Sequence, residues 1–136
     1  MQRATVLFGV LLFVAGCAPS NQPTFQPTYP VRGKLLDANG APVRGGRIEL
    51  RPADPALPEA RGFVKTDGTF ELGTYKLNDG VAAGRYTVTV DPIVFDKAGN
   101  PRRQSLPIPK KYGDPSTSDL KVEIEARTNE VVWSLK

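Results

Sequence analysis

The chain has 136 residues, a formal net charge of +4 and no histidine. Without histidine it lacks the usual proton shuttle at neutral pH, Ser-His-Asp and Cys-His catalytic groups, and histidine-bound zinc. Its carboxylates fall at turns or at polar positions of predicted strands, which is typical of solvated surfaces. We therefore expect no enzymatic activity, no cofactor, no metal and no nucleic-acid partner.

The first sixteen residues have the layout of a secretory signal peptide. One cation, Arg3, precedes an uncharged stretch from Ala4 to Ala15, and the small residues Ala15 and Gly16 suit a cleavage pocket. An uncharged stretch of this length is too short to cross a hydrocarbon core about 30 Å thick as a helix. We therefore expect residues 1–16 to be removed.

The residues around the only cysteine carry a first family resemblance. Val14-Ala15-Gly16-Cys17 resembles the lipobox of bacterial lipoproteins. The resemblance implies that Cys17 carries palmitate-type acyl chains, becomes the first mature residue and holds the protein on a membrane of the cell envelope. Two or three chains anchor firmly, because each buried methylene contributes about 0.8 kcal/mol. In enteric bacteria, an Asp directly after the lipidated cysteine retains a lipoprotein at the inner membrane. This sequence has Ala18 at that position, and the absence of Asp favours the outer membrane.

Residues 17–30 are predicted to form a flexible, proline-rich tether after the lipidated cysteine. The stretch 18–30 is uncharged and contains four prolines at nearly regular spacing. Proline favours the polyproline II conformation, so this stretch would reach on the order of 40 Å at about 3.1 Å per residue. The alternative is a recognition motif in which Phe25 and Tyr29 bind an aromatic groove.

Residues 31–136 are predicted to form one all-β domain. Short runs of alternating apolar and polar residues are separated by turn residues, and no stretch has the periodicity of a helix. Seven such runs, each with one apolar face, predict two packed sheets. The third run contains Phe63. The inward positions of the other runs are Val31, Gly33 and Leu35; Ile48 and Leu50; Phe70 and Leu72; Tyr86, Val88 and Val90; Leu120, Val122 and Ile124; and Val131, Trp133 and Leu135.

Three segments carry a second resemblance, with Asn39-Gly40 and Asp67-Gly68 as hairpin turns. They are VRGKLLDANGAPVRGGRIEL from residue 31, TDGTFEL from residue 66 and GRYTVTV from residue 84. They are similar to the carboxypeptidase regulatory-like family. This implies a single seven-stranded, transthyretin-like or prealbumin-like (Ig-like) β-sandwich without a catalytic role. The part from residue 108 resembles the ending of small bacterial lipoproteins made of this domain alone.

The stretch 92–118 is the longest predicted connection, and connections of this length are usually functional or disordered. Its cations outnumber its acids, and two aromatic residues lie between them, which suits an envelope protein, an anionic polysaccharide or a lipid phosphate. The alternative is a structural cover in which the apolar side chains of this loop hold it over a sheet edge. The candidate partner surface consists of Phe95, Arg102, Arg103, Lys110, Lys111 and Tyr112.

Two motifs offer oxygen ligands for calcium, Asp37-x-Asn39-Gly40 and Asp96-x-x-Gly99-Asn100. Calcium takes six to eight oxygens, and neither motif has that complement. Tight turns explain both motifs.

A third site hypothesis comes from bacterial surface adhesins, in which related domains form a Lys–Asn isopeptide bond beside a buried acid. Lys34, Asn129 and Glu71 have the right residue types. Against this bond, Lys34 is predicted to point away from the face of Leu35, and Asn129 is predicted to lie in a turn.

The sequence therefore predicts a membrane-anchored, non-catalytic envelope lipoprotein whose sandwich is a structural or protein-interaction module. The alternative is a carbohydrate-binding module in which Trp133, Tyr75 or Tyr112 stacks on a sugar ring. Trp133 shares the predicted inward face with Val131 and Leu135, which argues against its exposure.

Overall fold

The computed structural model describes Gly16 and residues 24–136. The predicted lipidation site Cys17 and, apart from Gly16, the predicted signal peptide lie outside the described residues.

The described chain is nearly all β, and each of the seven predicted strands is present. Two further short strands, β6 and β7, and a 3-10 helix occupy the stretch that was predicted to be a connection. The elements are β1 Val31–Leu36, β2 Arg47–Pro52, β3 Ala60–Phe63, β4 Thr69–Gly73, β5 Gly84–Asp91, β6 Ile93–Phe95, β7 Pro101–Arg103, the 3-10 helix Lys110–Gly113, β8 Lys121–Ile124 and β9 Asn129–Ser134.

The seven strands other than β6 and β7 form one continuous hydrogen-bonded sheet in the order β8-β5-β2-β3-β4-β1-β9, rather than two separate sheets. Strand β4 makes the connection, because its first part pairs with β1 and its last part, Leu72 and Gly73, pairs with β3. All pairs are antiparallel except β1 with β9, in which Val31 lies beside Asn129. Strands β6 and β7 form a separate two-stranded hairpin.

The predicted alternation holds in the core. Ile48, Leu50 and Val88 are fully buried, and Phe70 stacks on Trp133 with ring centroids 5.0 Å apart. Each such side chain contributes about 1.5–3 kcal/mol when it is fully buried. In β3, Ala60 and Gly62 are buried and Phe63 is only half-buried.

Strand register places the loops at two opposite ends of the domain. Strand β5 begins close to the Tyr29–Val81 bridge and ends at Asp91, which pairs with Arg47 at the start of β2. Eight residues in a strand span about 25 Å. We call residues 24–30, loop 74–83 and turn 125–128 the Tyr29 end. The turn 37–42, the β6–β7 hairpin and the 3-10 helix form the hairpin end.

Candidate functional site

The β6–β7 hairpin is a formed structure with its own turn. Val94 pairs with Arg102, and a carboxylate oxygen of Asp96 accepts the backbone N–H groups of Ala98 and Asn100, each at 2.9 Å. The backbone hydrogen bond from Asn100, helped by the Arg102 side chain, lowers the pKa of Asp96. The second calcium motif is therefore a turn whose carboxylate is already bound by its own backbone.

Two close contacts hold the hairpin against the domain. Phe95 packs edge-on against Phe63 with ring centroids 5.0 Å apart. Gly45 leaves room for Val94, since a Cβ atom at residue 45 would lie 2.9 Å from Val94 Cγ1. Phe95 nevertheless stays 48% exposed. The cavity beside it has a volume of about 550 Å³, and its lining includes Arg44, Phe63, Lys65, Ile93, Val94 and Phe95.

The predicted cations of the hairpin are on the surface. Arg102 and Arg103 are both exposed, and Arg102 Nε lies 3.1 Å from an Asp96 carboxylate oxygen. An exposed pair of this kind contributes little to stability, but it fixes the guanidinium beside the turn. The hairpin therefore carries Phe95, Arg102 and Arg103 of the predicted partner surface, with Arg103 on the same face as Phe95 and Arg102 on the other face, beside Val94.

The 3-10 helix holds the other three predicted residues, and one of them is wrongly assigned. Lys110 and Lys111 are exposed, but Tyr112 is only 2% exposed. Its hydroxyl donates to the carbonyl oxygen of Lys136 at 3.2 Å and accepts the N–H of Lys136 at 2.9 Å. Tyr112 is thus a core residue that fastens the C-terminal strand, because its ring is buried and its polar group is satisfied.

Lys111 is tied to its surroundings. Its ammonium lies 3.3 Å from Asp119 and 4.9 Å from the centre of the Tyr112 ring. The hydrogen bond to Asp119 raises the pKa of Lys111.

The aromatic side chains proposed for sugar stacking differ in exposure. Trp133 is 7% exposed under its stack with Phe70, and Tyr112 is buried. Tyr75 is 41% exposed, but Phe25 packs edge-on against it. A stacking platform needs an open ring face, so Tyr75 is the remaining candidate of the three.

The first calcium motif is also a turn. An Asp37 carboxylate oxygen accepts the N–H groups of Asn39 at 2.8 Å and Ala41 at 3.0 Å. Within residues 24–136, no three histidine, cysteine or acidic side chains are grouped so that they could hold a metal ion.

The isopeptide hypothesis does not match the geometry. Asn129 is the first residue of β9 and not a turn residue as predicted, and it is 8% exposed. Its side-chain amide is bonded to the backbone of Glu125 and Arg127. Lys34 is exposed and pairs with Val132, three positions further along the ladder. The Asn129 side chain therefore closes the turn before β9.

No sequence pattern indicates that the last part of the predicted tether contacts the domain. The backbones of Tyr29 and Val81 exchange two hydrogen bonds of 2.9 Å. The Thr28 hydroxyl donates to the Asp79 carbonyl oxygen at 2.7 Å, and the Gln26 N–H donates to the Tyr75 hydroxyl at 2.8 Å. The segment 26–29 thus lies along loop 74–81.

In the part of the chain described by the structure, no helix is long and apolar enough to span a membrane.

Comparisons with known proteins give only distant structural likeness. No family model and no curated protein matches the chain. A solved structure of the major pilin subunit of Bacillus cereus is similar over 80% of this chain and 29% of its own, with 17% identity and a TM-score of 0.46. A 9R-lipoxygenase from Cyanothece is similar over 80% of this chain and 16% of its own, with 13% identity and a TM-score of 0.44. The chain thus spans less than a third of either protein.

Proposed function

We propose that this protein is a lipid-anchored, non-catalytic lipoprotein of the bacterial cell envelope whose β domain is a structural or protein-interaction module. The lipobox-like residues Val14 to Cys17 support the anchor. The interaction role depends on one observation, the aromatic and cationic surface of the β6–β7 hairpin, where Phe95 is 48% exposed and the same short hairpin carries two exposed arginines.

We assign the domain to the prealbumin-like sandwiches of the carboxypeptidase regulatory-like family. The motif order from residue 31 to residue 90 supports this assignment. So does the core, because Trp133 and Phe70 from one half of the strand order and Ile48 and Val88 from the other half belong to the same buried cluster. Such a cluster is expected when a sheet folds over on itself.

The relative position of the two ends supports the function. The chain runs from Cys17 to the Tyr29 end, about 25 Å along β5 from the hairpin end. An acyl anchor at Cys17 is therefore connected to the domain at the end opposite the hairpin. Ala18 favours the outer membrane as the location.

The chemistry of the hairpin favours an acidic partner. Arginine binds carboxylates and phosphates through two parallel hydrogen bonds, and an exposed aromatic ring adds apolar contact area. A partner with carboxylates around an apolar patch, on an envelope protein, fits Arg102, Arg103 and Phe95.

Photo-cross-linking in living bacteria tests this surface. A photoreactive amino acid replaces Phe95 in one strain and Val132, which is 67% exposed on β9, in a control strain. We expect a discrete adduct with an envelope component from position 95 only, and its loss when Arg102 and Arg103 are changed to Glu. The same adducts from both positions, or none from position 95, would contradict the assignment.

The alternative is a carbohydrate-binding module of the cell envelope. It is favoured only by the exposed ring of Tyr75. Under this alternative, cosedimentation with an anionic envelope polysaccharide is lost in Tyr75→Ala and kept in Phe95→Ala. The protein-interaction module proposed above predicts that neither substitution changes cosedimentation with the polysaccharide.

A further inference from the structure

An exposed apolar patch lies at the Tyr29 end of the domain. Among the described residues, five large hydrophobic side chains are exposed, and three of them, Phe25, Tyr75 and Leu77, belong to this end. Phe25 packs edge-on against Tyr75 with ring centroids 4.8 Å apart, and Leu77 is 79% exposed two residues further along the loop. Apolar side chains exposed singly are ordinary, whereas exposed apolar side chains that lie together are typical of interaction surfaces.

The loop that carries the patch is held in shape. The Asp79 carboxylate accepts the N–H groups of Thr74 at 2.6 Å, Lys76 at 3.0 Å and Tyr75 at 3.2 Å. Asn78 has a φ of 60°, which asparagine tolerates better than most residues. The side chains of Lys76 and Leu77 are therefore presented at the tip of a folded loop, while the only acid of that loop is turned inward onto its backbone.

The chain connects this patch directly to Cys17. The Gln26 N–H donates to the Tyr75 hydroxyl, so the backbone leaves the domain beside the patch. Phe25 follows Cys17 by eight residues. That length of chain reaches at most about 28 Å, so a lipid at Cys17 keeps the patch within this distance of the anchoring point.

From these three observations we infer that Phe25, Tyr75, Leu77 and Lys76 form a second membrane contact, lying at the lipid–water interface of the bilayer that holds Cys17. This inference rests on the proposed lipid anchor. Tyrosine and apolar side chains beside a lysine are the residue types of such interfaces, where rings sit at headgroup level and cations attract anionic lipids. Two points of contact would fix the orientation of the domain and turn the hairpin end away from the membrane.

Depth-dependent quenching on the full acylated protein tests this contact. In the acylated chain the Cys17 sulfur is occupied, so Leu77→Cys provides a single free thiol for an environment-sensitive NBD dye. Ala98→Cys, at the exposed turn of the β6–β7 hairpin, carries the same dye as the matched control. Both proteins are reconstituted into vesicles of phosphatidylethanolamine and phosphatidylglycerol that contain nitroxide-labelled lipids.

We expect the dye at residue 77 to shift its emission to the blue and to be quenched at least twofold more strongly than the dye at residue 98. Adding Lys76→Glu should reduce that quenching. Equal quenching at the two positions, in acylated protein that floats with the vesicles, would overturn the membrane contact and leave the lipid anchor intact. Protein without acyl chains that does not float would overturn the anchor and this inference together.

Discussion

The backbone of Tyr29 crosses directly over Gly80. A Cβ atom at residue 80 would overlap the carbonyl oxygen and carbonyl carbon of Tyr29, and Gly80 has a φ of 95°. The N-terminal segment can therefore lie on the 74–81 loop only because residue 80 has no side chain.

Gly80→Ala should detach this segment. The added methyl group meets backbone atoms that cannot move aside without breaking the two Tyr29–Val81 hydrogen bonds. We expect faster amide hydrogen exchange at Tyr29 and Val81. Gly99→Ala is the matched control, because Gly99 has a similar φ of 82° but no atom within 4 Å of an added Cβ. Gly99→Ala should lower the free energy of unfolding by about 1–2 kcal/mol, through backbone conformation alone. Unchanged exchange at Tyr29 in Gly80→Ala would show that the segment is not docked there.

Ionisation of Tyr86 should contribute to the pH dependence of the free energy of unfolding. Its hydroxyl donates to the carbonyl oxygen of Ala82 at 2.8 Å, and burial raises the pKa of Tyr86 from 10.0 to about 12. Tyr86→Phe should lower the free energy of unfolding by about 1 kcal/mol near neutral pH, because it removes this bond.

The sign of the alkaline effect follows from the raised pKa of Tyr86. The unfolded chain releases the tyrosine proton first, so the hydroxyl stabilises the fold below pH 10 and this contribution is lost as the pH rises towards 12. Urea titrations across this range should show the wild type losing more stability than Tyr86→Phe. Parallel curves for the two proteins would contradict the assignment to Tyr86.

Trp133, the only tryptophan, reports on the core and on the sugar-stacking alternative. Its ring is 7% exposed and stacks on Phe70. We expect blue-shifted emission, weak quenching by iodide and no response to polysaccharide. Trp133→Ala should lower the free energy of unfolding by about 3–5 kcal/mol. Emission like that of tryptophan in water would contradict this packing.

Phe95→Ala should loosen the hairpin more than the domain. The edge-on pair with Phe63 contributes about 0.5–1.5 kcal/mol beyond the area it buries. We expect faster exchange of the Gln104 amide, which donates to Pro92 across the base of the hairpin, and little change in the global unfolding transition. Val132→Ala, which removes an exposed side chain on β9, is the control and should leave the Gln104 amide unchanged.

The strands could be predicted because their alternation is local. Tyr86, Val88 and Val90 are buried on one face of β5 as the period of two requires. The antiparallel pairing of β3 with β4 agrees with the hairpin turn predicted at Asp67-Gly68. The pairing of β4 with β1 could not be predicted, because it joins segments that are distant in the chain.

The candidate site was predicted only in part. Arg102 and Arg103 are exposed as expected. Tyr112 is buried, although it lies in the sequence between a polar residue, Lys111, and a flexible one, Gly113. The partner of its hydroxyl group, Lys136, lies 24 residues further on, so no local sequence pattern indicates this contact. The contact of Tyr29 with the domain could not be predicted either. A proline-rich composition indicates a tether, but it does not show whether part of that tether packs against the domain.

The lipid anchor is tested most directly by the intact mass of the protein purified from bacterial membranes, beside a Cys17→Ser variant. We expect a wild-type mass equal to residues 17–136 plus two or three acyl chains, and a variant without this modification. A wild-type protein that keeps residues 1–16, or that carries no acyl chain, would contradict the lipid anchor at Cys17 on which the proposed function depends.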